Sequence, residues 1–204
     1  MNPEIQAFLS DPSIPIKIRD NVAMTLDSVK VACSFELELS SDTLSVLDHY
    51  IKSLIKTGDD FKDLVAVTTG SYFGEVLRRT FGGEWYVDPQ NTPDLWQVRF
   101  HSCPFAVYPV AAAFEIIFRD DSASSIIVNP LRQEALSQML GNVHQVSEDE
   151  YFSFAGRMDA IHLCIDFLTE IEHLIVGDSG TRQEFGFADP TDVTVLPWNP
   201  PSDS

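Results

Sequence analysis

Positive charge is what this sequence has least of. Its 13 Lys and Arg face 31 Asp and Glu, leaving a formal charge of −18 over 204 residues. No basic cluster is longer than Arg78-Arg79. A nucleic-acid surface needs cations aimed at phosphates, so nucleic-acid binding is not expected. Anionic membrane surfaces are disfavoured for the same reason. No apolar run approaches the ~18 residues of a spanning helix. No basic segment leads into an apolar stretch at the start, so neither a membrane span nor a signal peptide is expected. Cysteine is scarce as well. Cys33, Cys103 and Cys164 are an odd number at wide spacing, each among apolar neighbours. They do not read as a disulfide framework and predict buried, reduced thiols in a cytoplasmic protein. A glycine-rich phosphate loop, a dinucleotide fingerprint and an H-E-x-x-H pair are all missing, and no cofactor is expected.

What is present is organised around 63–85, DLVAVTTGSYFGEVLRRTFGGEW. At ~100° per residue, Ala66, Gly70, Phe73, Gly74, Leu77 and Phe81 share one helical face. Thr68, Ser71, Glu75, Arg78 and Arg79 form a narrow polar strip. Gly82-Gly83 stops the helix, because glycine accepts the left-handed conformation. The expected object is one buried rod.

The remaining pattern predicts an α+β fold, with helices packed on a small antiparallel β-meander and a long C-terminal helix. Helices are expected over 3–10, 20–32, 44–55, 109–118 and 130–140, and from Ser147 to about Val176. An extended arm is expected over 13–18. Alternation of Cys33, Phe35, Leu37 and Leu39 with polar residues predicts a strand over 33–39. Further short strands are expected at 84–87, 95–100 and 105–108, and 126–128 is a short apolar stretch. Asp48 and Lys52 form an (i, i+4) pair on the wet face of their helix. Gly58-Asp59-Asp60 turns the chain into the central helix. Ser147 and Glu150 have capping-box spacing. Gly177-Asp178-Ser179-Gly180 breaks the last helix, and the proline-rich 181–204 reads as an irregular arm. One domain over 1–180 accommodates all of this.

Few residues invite a chemical role. Glu75 is a carboxylate in the most apolar helix, and with His101, Tyr72 and Arg79 nearby it could serve an enzyme as acid or base. The same spacing to Arg78 and Arg79 is ordinary helix stabilisation. Gly70-Ser71-Tyr72-Phe73-Gly74 misses the G-x-S-x-G spacing by one residue and lies inside a helix. His101-Ser-Cys103 and His162-Leu-Cys164 could supply four zinc ligands. Residues two apart on a helix point ~200° away from each other, so the second pair cannot chelate from one side. His162, Asp166, Glu170 and His173 form a polar strip that reads as the solvated edge of the last helix. Gly70 and Gly74 each cost up to ~1 kcal/mol in a helix interior, so something must approach the backbone there.

The stretch Gly70-Ser71-Tyr72-Phe73-Gly74-Glu75-Val76-Leu77, followed by Phe81-Gly82-Gly83-Glu84-Trp85, resembles a group of uncharacterised bacterial domains. They share a Tyr-x-Gly-Glu motif on a helix and a Gly-Gly-x-Trp exit into a strand. The resemblance covers 33–140. It implies a small, acidic, cytoplasmic protein, in some cases like toxin-immunity or secretion-accessory proteins, and it carries over no catalytic residues. Two functions follow as expectations. One is a non-enzymatic module that binds a basic protein through an acidic face. The other is an enzyme with a pocket around Glu75 and His101. The long last helix and the proline-rich arm also leave room for a homodimer.

Overall fold

The computed structural model describes residues 2–55, 61–120, 125–141 and 146–179, the last five by backbone alone. The fold is α+β. Its sheet has four strands in the order β1 (Gly83–Tyr86), β2 (Gln97–Phe100), β3 (Phe105–Val107), β4 (Ile126–Val128), each antiparallel to its neighbour. Helix α5 (Pro109–Phe118) connects β3 to β4. The short apolar stretch 126–128 is therefore a fourth strand, pairing Phe105 with Val128.

The central rod is unbroken from Lys62 to Phe81, here α4. Tyr72, Phe73, Val76 and Leu77 are fully buried. Helix α5 packs along one side of it and α2 (Ile16–Cys33) along another, with β1 and β2 across it. The polar strip is covered at its first three positions and open to solvent at Arg79. Thr68, Ser71 and Glu75 are all buried. Their polar atoms are satisfied internally: Thr68 and Ser71 donate to the carbonyls of Val65 and Val67, and Asn21 of α2 donates to Ser71 Oγ at 3.0 Å. Hydrogen bonding removes the desolvation cost that would otherwise keep these groups in water. Gly82, at φ +69°, ends the rod.

Helix α1 (Pro3–Ser10) starts on the Asn2 cap, whose side chain accepts from Glu4 N at 2.9 Å. The predicted arm over 13–18 is not extended: residues 12–14 make a turn, with Ile14 N donating to the Asp11 carbonyl at 3.3 Å, and α2 already begins at Ile16. The predicted strand over 33–39 does not form. Cys33 is still helical, and Ser34 reverses the chain in the left-handed conformation. Leu37 and Leu39 are buried, but Phe35 stays 41 % exposed. Instead of a ladder partner, the segment has side chains: Tyr72 Oη and Thr43 Oγ1 both donate to the Glu38 carbonyl. Ser34 has φ +52°. Glycine adopts that region without a Cβ clash, roughly 1 kcal/mol more cheaply than other residues. Ser34→Gly is expected to raise stability by about 0.5–1 kcal/mol in urea unfolding, and a loss would show that the Ser34 side chain is needed there.

Helix α3 (Leu44–Ile55) carries a cap for a helix far along the chain. The Asp48–Lys52 pair does not form. Lys52 reaches Asp149 at 3.6 Å, and Asp48 accepts from Phe154 N at 2.7 Å and Ala155 N at 3.1 Å. Those two amides open α8 (Phe154–Ser179). Burial pushes the Asp48 carboxyl above its usual range, against the two N–H donors that favour its charged form. The single long helix expected from Ser147 is thus two: α7 (Glu148–Tyr151), capped by Ser147 Oγ, then a corner, then α8. At that corner Gly156 N donates to Ser153 Oγ, and a Cβ on Gly156 would collide with the Glu150 carbonyl. The last helix also passes through Gly177 to Ser179, where a break was expected. Helix α6 (Pro130–Gly141) lies where its pattern placed it. The turn at Gly58–Asp60 and the arm over 181–204 lie outside the described residues. Among the described residues, no helix is long and apolar enough to cross a membrane.

Candidate functional site

Glu75 is the most deeply placed charge in the fold, with no exposed surface. Its carboxylate receives four donors. Arg78 Nε reaches Oε2 at 2.9 Å and Arg78 Nη2 reaches Oε1 at 2.9 Å. Arg79 Nε adds a bond to Oε1 at 3.1 Å, and Trp85 Nε1 one to Oε2 at 3.2 Å. A carboxylate offers about four lone-pair positions, so this one is saturated. The two arginine side chains are about three-quarters covered. Arg79 also approaches Glu4 of α1 at 3.8 Å, which ties the N-terminal helix to the same cluster.

The local sequence explains why these groups meet. Arg78 and Arg79 follow Glu75 by three and four residues, one helical turn away. Gly82 and Gly83 fold β1 back along α4, and Trp85 returns its ring over Gly74. A Cβ at Gly74 would stand 2.5 Å from Trp85 Cζ2 and 2.7 Å from Pro109 Cγ. Gly83 lies against the Arg99 carbonyl, 2.5 Å from where its Cβ would be. The Tyr-x-Gly-Glu and Gly-Gly-x-Trp residues therefore build one cluster: Gly74 makes space for the indole ring and Glu75 receives its N–H.

The other candidates go elsewhere. Tyr72 is turned to Glu38 and Thr43, 2.9 Å from the Thr43 hydroxyl, and burial pushes its phenol up to about 12. His101 is exposed in the turn after β2. Among the described residues no side chain ion-pairs or hydrogen-bonds with the His101 ring. Of the four candidates the fold joins Glu75 with Arg79 and separates both from the partners of Tyr72. A carboxylate held by two guanidiniums and an indole N–H can hold charge and fix geometry.

The His-x-Cys pairs divide in the same way. Cys103 and Cys164 are buried, and His101 and His162 are exposed. His162 Nε2 lies 3.4 Å from Asp166 and its ring 5.2 Å from Phe81. Among the described residues, no group of three or more His, Cys, Asp or Glu stands where it could hold a metal ion. Burial pushes the Cys164 thiol up to about 12, the nearby Cys103 adding to the effect, and burial raises Cys103 too. Only the thiolate reacts. A disulfide reagent at pH 8 is therefore expected to label half-buried Cys33 first. Cys103 and Cys164 are expected to react only as fast as the chain opens, and rapid native labelling of all three would contradict their placement.

Sequence reasoning missed two charged pairs. Glu115 of α5 and Arg157 of α8 are both buried, with Arg157 Nη2 2.9 Å from Glu115 Oε2 and Ser125 Oγ 3.2 Å from the same oxygen. Arg157 also sits 4.5 Å over the Tyr151 ring. Arg132 of α6 holds Glu172 of α8 at 2.8 Å. Partners 40 or more residues apart leave no local spacing to read. A shallow apolar groove between α3, α4 and α5 is lined by Ile51, Leu54, Ile55, Phe61, Lys62, Val65 and Ile117. None of Glu75, His101, Tyr72 or Arg79 lines it. No protein-family model, curated protein or solved structure matches this chain.

Proposed function

We propose that this chain is a non-enzymatic, acidic module that binds a basic protein. The observation that carries the reading is where the cations go. Every described arginine is engaged within the chain. Arg19 donates to the Leu9 carbonyl at 2.9 Å, and Arg78 and Arg79 hold Glu75. Arg99 bonds Gln97 and stacks on Tyr86. Arg119 pairs with Glu148 and Asp149, Arg132 with Glu172 and Arg157 with Glu115. Exposed carboxylates such as Asp20, Asp42, Glu84, Asp159 and Glu170 have no cationic partner among the described residues. Among the described residues the surface therefore presents carboxylates that no internal cation neutralises. Such a surface steers positively charged partners toward itself and repels anionic ones.

Three free cysteines suit a reducing cytoplasm. The Tyr-x-Gly-Glu resemblance suggests a basic toxin held by an immunity protein, or a cargo held by a secretion accessory, as partners of this chemistry. The test is affinity purification of the tagged full chain from its own cells at ~0.15 M salt. One stoichiometric basic partner is expected, released as salt rises toward ~1 M, where charges are screened within about 3 Å. Recovery of no partner, or of an acidic partner indifferent to salt, would overturn the reading.

A further inference from the structure

Helix α8 turns one face inward, and among the described residues no element covers another of its faces. Ile161, Cys164, Ile165 and Leu168 are buried. On a neighbouring face, Leu163 is 45 % and Leu174 70 % exposed, with half-buried Phe167 between them. Steps of four and seven residues keep these three side chains in one seam along the helix. Asp159, Asp166 and Glu170 are exposed, and their steps of seven and four place them in a line along one border of that seam. Among the described residues, Asp166 ion-pairs with His162 alone, at 3.4 Å. No described lysine or arginine ion-pairs with the three border carboxylates.

We infer that this seam is the docking surface for a basic amphipathic helix of the partner. The inference rests on the reading of the chain as an acid-faced binding module and names the surface that does the binding. The seam offers leucine and aromatic side chains at helical spacing, which an apolar helix face can cover. The carboxylate border selects the sign of the charge flanking that face, because like charge across an interface costs several kcal/mol. A partner with Leu or aromatic anchors at helical spacing and Lys or Arg on the adjoining edge satisfies both halves. A nucleic acid or anionic lipid satisfies neither.

The probe is a synthetic Leu/Lys peptide with its leucines on one helical face, against a scrambled peptide of equal composition. Binding to the full chain is measured by calorimetry at ~0.1 M salt. The facial peptide is expected to bind about tenfold more tightly than the scrambled one. L163S/L174S is expected to weaken it about tenfold. D159N/D166N/E170Q is expected to weaken it about fivefold, an effect that fades as salt rises. D27N, on α2, serves as the remote acidic control and is expected to leave affinity unchanged.

If the α2 control weakens binding and the α8 variants do not, the seam is wrong while the acidic-module reading survives. If neither peptide nor any basic protein binds, that reading falls and takes the seam with it. Light scattering covers the remaining occupant. A dimer that L163S/L174S converts to monomer would assign the seam to a second copy and overturn the proposal.

Discussion

Glu75→Leu is expected to lower stability by about 3–5 kcal/mol, the cost of removing one partner from a buried ion pair. The carboxylate receives four donors and has no exposed surface. Its loss leaves Arg78, Arg79 and the Trp85 N–H facing an apolar side chain. The two arginine side chains keep about a quarter of their surface in solvent, so their guanidiniums can recover part of their hydration by turning outward. That relief is not open to the Trp85 ring, which is wedged over Gly74. Glu75→Gln keeps the shape but turns an amide N–H₂ toward cationic donors. It is expected to cost about 2–3 kcal/mol, between the loss of a charged hydrogen bond and the loss of the whole pair. Urea unfolding of the three proteins measures the order wild type, Gln, Leu. A Gln variant as stable as wild type would mean that the four bonds contribute nothing net. Retention of full stability with loss of partner binding would move Glu75 from the frame of the protein to its working surface.

The same cluster shows how far the sequence could be read. The spacing from Glu75 to Arg78 and Arg79 predicts their ion pairs, because one helical turn fixes the geometry. The glycines at 70 and 74 announce a close approach, because their helix cost needs a reason. What approaches cannot be read locally: Trp85 comes from the next strand and Pro109 from a helix after the sheet. Depth could not be read from the wheel, which shows Thr68, Ser71 and Glu75 only as a polar strip; α2 and the cluster cover them, and hydrogen bonds make that burial tolerable. The strand over 33–39 failed because period two reports alternation and not the presence of a partner strand. Asp48 failed because a local partner, Lys52, was available on paper, while the amides it caps lie 106 and 107 residues away. The α8 edge containing His162, Asp166 and Glu170 was legible as solvated. The apolar seam beside it was not, because a wheel separates the faces of a helix without saying which of them the fold covers.

Gly70→Ala is expected to reverse the usual effect of that substitution. In an open helix interior, alanine in place of glycine stabilises by up to ~1 kcal/mol. At Gly70 the added Cβ would stand 2.6 Å from Val110 Cα, 2.9 Å from the Pro109 carbonyl oxygen and 3.1 Å from Ala113 Cβ. Two of these three neighbours are backbone, so no rotamer change clears the space. Either α5 moves away from α4 or the rod bends. Either shift disturbs the packing around Val110, which is fully buried. Overpacking of this kind costs about 1–3 kcal/mol, and the alanine gain offsets part of it. A net loss of about 2 kcal/mol is expected, against a gain of about 0.5–1 kcal/mol for Gly141→Ala, where nothing lies within 4 Å of the added atom. Because α5 leads out of β3 and connects to β4, its displacement should also loosen the sheet, and amide exchange in Phe105–Val107 and Ile126–Val128 is expected to accelerate with the loss of stability. Equal stabilisation by both alanines would show that α4 and α5 are not in contact at Gly70, and the rod would then lose the neighbour that explains its glycine.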